Sequence, residues 1–202
     1  MVRRAIVISP SRRAPYFICL TRFLPRKNIP VLLKGYAAYR RAVGSDAARD
    51  LAICGSGAGL DDTRSLVRDL DLDQKVHLPG FVAYSALGDW YAQADALIHP
   101  ALHEQWGLVL NEACAAGLPI ISSRTVGAAA ELVKEGENGY TFDPSSVADL
   151  DRVLQAFHAL SATECDQMGD RSRAIVADFG PARFGNGFTR AVSAALGESA
   201  SS

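Results

Sequence analysis

Residues 96–121 constrain the fold more than any other part of this chain. An apolar run, Ala96-Leu97-Ile98, is closed by His99-Pro100. After a short loop, Leu108-Val109-Leu110-Asn111-Glu112-Ala113 is rich in helix formers. Gly117-Leu118-Pro119 stops that helix, and Ile120-Ile121 opens a new apolar run. Strand, loop, helix, strand is one βαβ unit, which lays two strands in parallel. The expected fold class is therefore α/β, an α/β sandwich built on such units. The rest of the chain reads the same way. Strands are expected at 16–20, 51–54, 75–78, 96–98, 119–122 and 140–142, with helical segments between most of them. Leu32, Leu33, Tyr36 and Ala37 suggest a helix after Pro30, and Val147, Leu150, Leu154 and Phe157 recur at helical spacing after Asp143-Pro144. Further helices are expected near 163–178 and 181–196.

Length and composition bound the class. A chain of 202 residues is one domain. Net charge is −1, so no basic face of the kind nucleic acid needs is expected. No apolar run approaches a membrane span, and Ala5-Ile6-Val7-Ile8 is too short for a signal-peptide core. Cys19, Cys54, Cys114 and Cys165 lie scattered in apolar contexts without CxxC spacing. They read as reduced core thiols of a cytoplasmic protein, and zinc is not expected. Residues 1–15, with Arg3, Arg4, Arg12 and Arg13, form a basic arm or a solvated linker remnant, and 198–202 a small polar tail.

Two carboxylates flank the loop of the βαβ unit. Glu104 falls in the loop after a strand, where ligands of α/β sheets bind. Glu112 falls in the second turn of the next helix and leans back toward that loop. The helix N-terminus between them suits an anion such as phosphate. Acids would repel a phosphate, but they accept hydrogen bonds from hydroxyls beside it. A ligand with central phosphates and flanking hydroxyls is a sugar nucleotide. Taken alone, the spacing also fits a surface loop acid and a solvated helix residue. A second strand end adds bases. The run Tyr16-Phe17-Ile18-Cys19-Leu20 leads into Thr21-Arg22-Phe23-Leu24-Pro25-Arg26-Lys27. Arg22 can fork onto phosphate oxygens and Lys27 can add a point charge. Alone, both are ordinary surface bases.

Together these segments resemble a known family. The chain is similar, over about residues 15–195, to the C-terminal, donor-binding domain of a GT-B retaining glycosyltransferase of family 4 (glycosyl transferases group 1). HPALHEQWGLVLNEACAAGLPIISS carries the family's Glu-x7-Glu signature in Glu104 and Glu112. TRFLPRKNI matches its strand–Arg–x4–Lys segment, with Thr21 where Gly is common. CGSGAG, KVHLPGFV and GENGYTFDP match further elements in the family's order. The resemblance implies a single Rossmann-like domain over residues 16–197, a parallel sheet with helices on both faces. It also implies that Arg22 and Lys27 hold the diphosphate, that Glu112 accepts from the ribose hydroxyls and that Glu104 binds hydroxyls of the donor sugar. Backbone N–H groups of Trp106, Gly107, Leu108 and Val109 would contact sugar and phosphate. Val82 would place the base through its main chain, and Gln105 with Trp106 would bear on the choice of sugar. Arg22, Lys27 and Glu104 are the catalytic candidates. No metal or cofactor is implied, the substrate being a nucleotide-diphosphate sugar.

A complete enzyme of this kind has a second, acceptor-binding domain, which 202 residues do not accommodate. The expected partner is such a domain or subunit, or a second copy of the chain, with any membrane contact only peripheral. A non-catalytic nucleotide-sugar-binding or structural subunit is the alternative. Residues 181–196 would lack part of their usual support.

Three features invite other readings. Gly55-Ser56-Gly57-Ala58-Gly59 follows a strand but has Leu60 where a dinucleotide fingerprint needs Gly. Asp71-Leu72-Asp73 looks like a metal-binding DxD, yet it sits where a helix ends. His103 beside Glu104 is either a ligand of the sugar or acceptor or a plain loop residue, and Glu131 either a site acid or a surface one. His99 reads as a polar residue at a strand end, and His77 and His158 carry no signal.

Overall fold

A computed structural model of the protein describes residues 15–195. The basic arm up to residue 14 and the 198–202 tail lie outside the described residues. The chain runs β1 (Tyr16–Arg22), a single 3-10 turn (Pro25–Lys27), α1 (Ile29–Val43), β2 (Asp50–Ser56), α2 (Leu60–Asp69), β3 (Val76–Gly80), α3 (Tyr84–Gln93) and β4 (Ala96–His99). It continues through α4 (Leu108–Ala116), β5 (Ile120–Ser123), α5 (Gly127–Leu132), β6 (Gly139–Phe142), α6 (Val147–His158), α7 (Ala162–Ala177) and α8 (Pro181–Ala195). The six strands form one sheet in the order β3-β2-β1-β4-β5-β6. Every neighbouring pair is parallel, so the expected α/β class holds.

Alternation along each strand feeds two cores. Phe17, Cys19, Leu51 and Ile53 point to the side of α1, α2 and α6, where Leu33, Tyr36, Leu150, Leu154 and Phe157 are buried. Tyr16, Ile18, Leu97 and Ile120 point to the other side, against Tyr91 of α3, Leu110 and Cys114 of α4, and Leu132 of α5. Both faces being covered is why these strands read as unbroken apolar runs. The four cysteines are free; Cys19, Cys54 and Cys114 are buried in these cores and Cys165 is half-buried.

The ladders run further than the apolar signal. β1 and β2 extend through Thr21↔Gly55 and Arg22↔Ser56, because backbone pairing does not depend on apolar side chains. β3 begins one residue later than expected and runs on through Pro79. It is an edge strand, where a missing N–H is tolerated. Two helices start on side-chain caps. Ser146 accepts from Asp149 N–H at the head of α6, and Ser161 with Glu164 forms a reciprocal box at the head of α7. α8 forms where expected, and its Phe188 and Val192 are exposed.

The strand order creates the site. β1 and β4 are neighbours, yet α1 leaves over one face and α4 over the other. The two loops diverge and leave a crevice at the carboxyl ends of the strands, where open α/β sheets bind ligands.

Candidate functional site

The loop after β1 is stapled to the end of β4. Asn28 adopts a left-handed conformation (φ 57°) and is buried. Its Nδ2 donates to Pro100 O at 3.1 Å and to Pro144 O at 2.8 Å. Leu102 N–H donates to Arg26 O at 2.9 Å. These bonds carry Lys27 across to the β4 loop, where its ammonium is ion-paired and hydrogen-bonded to Glu104 Oε2. Arg22 stands exposed at the end of β1.

The Glu104 loop is held from behind by α5. Gly127 N–H donates to Glu104 O at 3.0 Å, and Ala128 N–H to Trp106 O at 2.8 Å. The Trp106 indole donates to Asn111 Oδ1 at 2.8 Å and lies 6.2 Å from the Phe179 ring. Its side chain is thus engaged in packing, while Gln105 is exposed. Gly107 opens α4 at φ +99°, a conformation that L side chains rarely adopt. No side chain caps α4, so its first turn keeps backbone donors for a ligand.

Glu112 lies one turn further on. Tyr91 of α3 donates to its Oε2 at 2.9 Å. A cleft of about 210 Å³ brings Glu112 together with Val109, Val82, Thr21 and Gly55, and the exposed Phe81 lines it too. Five of the predicted residues therefore converge on one edge of the sheet in two groups. Lys27 and Glu104 form one, and Val82, Val109 and Glu112 the other. Leu108 begins α4 between them, and it is exposed.

His99 is a neighbour that sequence reasoning missed. It closes β4, is 2% exposed, and places Nε2 3.7 Å from Glu104 Oε2. Burial, helped by the Lys27 charge and opposed by Glu104, pushes its pKa down to about 4. Glu104 shows the opposite balance. Burial pushes it up, but the Lys27 hydrogen bond and charge, with His99 and Arg26 adding, hold it below the usual carboxylate range. Burial, and then the Glu112 charge, push the Tyr91 phenol up, so it remains a donor. The only sequence signal for His99 was a polar residue ending an apolar run. Tyr91 and Asn28 gave none.

His103 and Glu131 are exposed, a placement that fits either reading of each. His77 Nε2 pairs with Asp50 at 2.8 Å, and His158 Nδ1 meets the Tyr39 hydroxyl at 2.9 Å. Asp71 and Asp73 are exposed just past α2. The glycine-rich turn lets β2's loop lie on that of β1. Phe23 N–H donates to Ser56 O at 3.0 Å, and a Cβ on Gly57 would stand 2.8 Å from Phe23 N. A larger cavity, about 620 Å³, opens at the strands' amino ends between Arg49, Asp95, Asp170 and Arg173. Four of its charges pair among themselves, Arg49 with Asp95 at 2.6 Å and Arg173 with Asp170 at 2.8 Å, and the exposed Asp166 lines it as well.

Comparison with known proteins now bears on this arrangement. Residues 6–174 match the family described as Glycosyl transferases group 1. A GDP-mannose-dependent alpha-(1-6)-phosphatidylinositol monomannoside mannosyltransferase of Mycobacterium tuberculosis is 33% identical over 168 residues, 80% of this chain and 40% of that protein. A D-inositol 3-phosphate glycosyltransferase of Arthrobacter sp. is 33% identical over 153 residues, 75% of this chain and 35% of that protein. The chain thus spans two-fifths or less of the length of these relatives. Among solved structures, Anabaena Alr3699/HepE in complex with UDP and glucose is similar at a TM-score of 0.74 and 19% identity, over 90% of this chain and 49% of that one. At that identity the likeness shows the fold alone. The family match covers most of the chain: it belongs to the glycosyl transferases group 1 family.

Proposed function

We propose that this chain is the donor-binding domain of a retaining glycosyltransferase, taking a nucleotide-diphosphate sugar and acting on an acceptor held by a separate domain or subunit. The observation that carries the reading is the convergence, at the β1/β4 crevice, of Lys27, Glu104, the uncapped N-terminus of α4 and Glu112. Arg22 and Lys27 take the diphosphate. Glu112, steadied by Tyr91, accepts from the ribose hydroxyls, and the main chain at Val82 sets the base. Glu104 takes hydroxyls of the sugar.

Transfer breaks the bond between the anomeric carbon and the diphosphate, and negative charge grows on the leaving phosphate. Arg22, Lys27 and the positive end of α4 stabilise that charge, so the role does not require a metal ion. Both glutamates are engaged with hydroxyls, which leaves no acid pair for a double displacement. Retention then proceeds by attack on the same face as departure. Four free thiols, mostly buried, favour a reducing compartment, and we place the domain in the cytoplasm with at most peripheral membrane contact.

The test is calorimetric titration with UDP-, GDP- and ADP-sugars, beside Lys27→Ala. One donor binds, and Lys27→Ala weakens it roughly ten- to a hundredfold, as for loss of a charge-assisted bond. A folded chain that binds none of them would sink the reading.

A further inference from the structure

His99 is the buried polar group that the donor-binding reading leaves unused. It is 2% exposed, and neither Nδ1 nor Nε2 has a hydrogen-bond partner. Buried polar side chains are nearly always satisfied, so an imidazole with both nitrogens open needs an explanation. Its position supplies one. Nε2 stands 3.7 Å from Glu104 Oε2, beyond hydrogen-bond reach, and that oxygen is held by Lys27. A movement of about 0.8 Å would bring the pair to ordinary bonding distance.

Lys27 has a second call on its ammonium. A diphosphate carries more negative charge than one carboxylate and competes with Glu104 for it. As Lys27 turns to the phosphates, Glu104 loses its strongest partner at the moment it must hold a sugar hydroxyl. We propose that His99 is a positioning residue for Glu104: when the donor diphosphate draws Lys27 away, His99 Nε2–H donates to Glu104 Oε2 and keeps the carboxylate fixed for the sugar. The proposal rests on the donor-binding reading, and it concerns the sugar rather than the nucleotide.

That difference makes it testable. The full chain is titrated with UDP and GDP, and separately with UDP-glucose and GDP-mannose, as wild type, His99→Leu and His99→Gln. For the nucleotide that binds, His99→Leu leaves the affinity for the bare diphosphate within about twofold. It weakens the matching nucleotide sugar roughly tenfold, as for loss of a hydrogen bond to a charged group. His99→Gln, which still carries a donor, recovers most of that loss. In wild-type chain with nitrogen-15-labelled histidine, an imidazole N–H protected from exchange appears on addition of the matching nucleotide sugar, which needs no variant to fold. Equal losses for both ligands, no loss for the sugar, or no protected N–H would overturn the role of His99 and leave the donor site standing. Failure of the folded wild-type chain to bind any of these four or any ADP-sugar would overturn both.

Discussion

Tyr91 donates its phenol to Glu112 Oε2 at 2.9 Å, linking α3 to α4 at the wall of the cleft that Glu112 shares with Val82. The bond orients the carboxylate assigned to the ribose. Tyr91→Phe removes the donor and keeps the ring in its core. Nucleotide affinity should fall by about three- to tenfold, on the order of 1 kcal/mol, with the fold intact. Calorimetric titration measures it, and unchanged affinity would mean that Glu112 is oriented without Tyr91.

Gly107 opens α4 at φ +99°, and a Cβ there would also come 3.0 Å from Val126 Cγ1. Gly107→Ala should cost roughly 1–3 kcal/mol of stability. It should also weaken nucleotide binding, because the same backbone aims the first-turn donors of α4. Urea unfolding and titration check the two effects separately. Loss of stability with full binding would remove the α4 terminus from the site.

Asn138 is fully buried, and its side chain makes three bonds. Its Nδ2 donates to Leu132 O at 2.9 Å and Ser172 Oγ at 3.1 Å, and its Oδ1 accepts from Lys134 N–H at 2.7 Å. Ser172 Oγ in turn donates to Leu118 O at 2.7 Å, so one side chain ties the turn before β6 to α7. Asn138→Ala leaves buried groups unpaired and should cost about 2–4 kcal/mol. The urea midpoint should fall with an unchanged slope. A midpoint within error of wild type would show that water replaces these bonds.

His99 predicts an acid limb. Burial, with Lys27, holds it at about 4 in the folded chain, against 6.5 when free. As pH falls, the unfolded chain takes the proton first. The stabilising contribution is therefore complete above the unfolded value and lost as pH falls through this window toward the folded one. The loss is on the order of 3 kcal/mol. His158, pushed down by burial and by Arg49, acts in the same direction. Urea unfolding of wild type and His99→Gln across this range tests it. The variant should show a shallower fall, and identical slopes would mean that His99 takes up its proton freely in the folded chain.

Much of this molecule was legible locally. All six strands announced themselves, because a parallel strand covered on both faces reads as an apolar run. Their ends did not. Thr21, Arg22, Gly55 and Ser56 continue a backbone ladder that owes nothing to side-chain polarity. Glu104, Glu112, Arg22 and Lys27 stood out because strand-end loops and a helix start were visible around them.

What the sequence by itself determined was the succession of elements and the residues at their ends, since periodicity and stop signals act between near neighbours. Which ends meet was decided only by the tertiary structure. Lys27 and Glu104 are 77 positions apart, and they pair because β1 lies beside β4 and Asn28 pins their loops together. Tyr91 reaches Glu112 because α3 and α4 pack on the same face of the sheet. His99 ends buried with both nitrogens open, 3.7 Å from Glu104, which no near neighbour in the sequence dictates. Strand order is a property of the whole chain's burial, and no local pattern contains it.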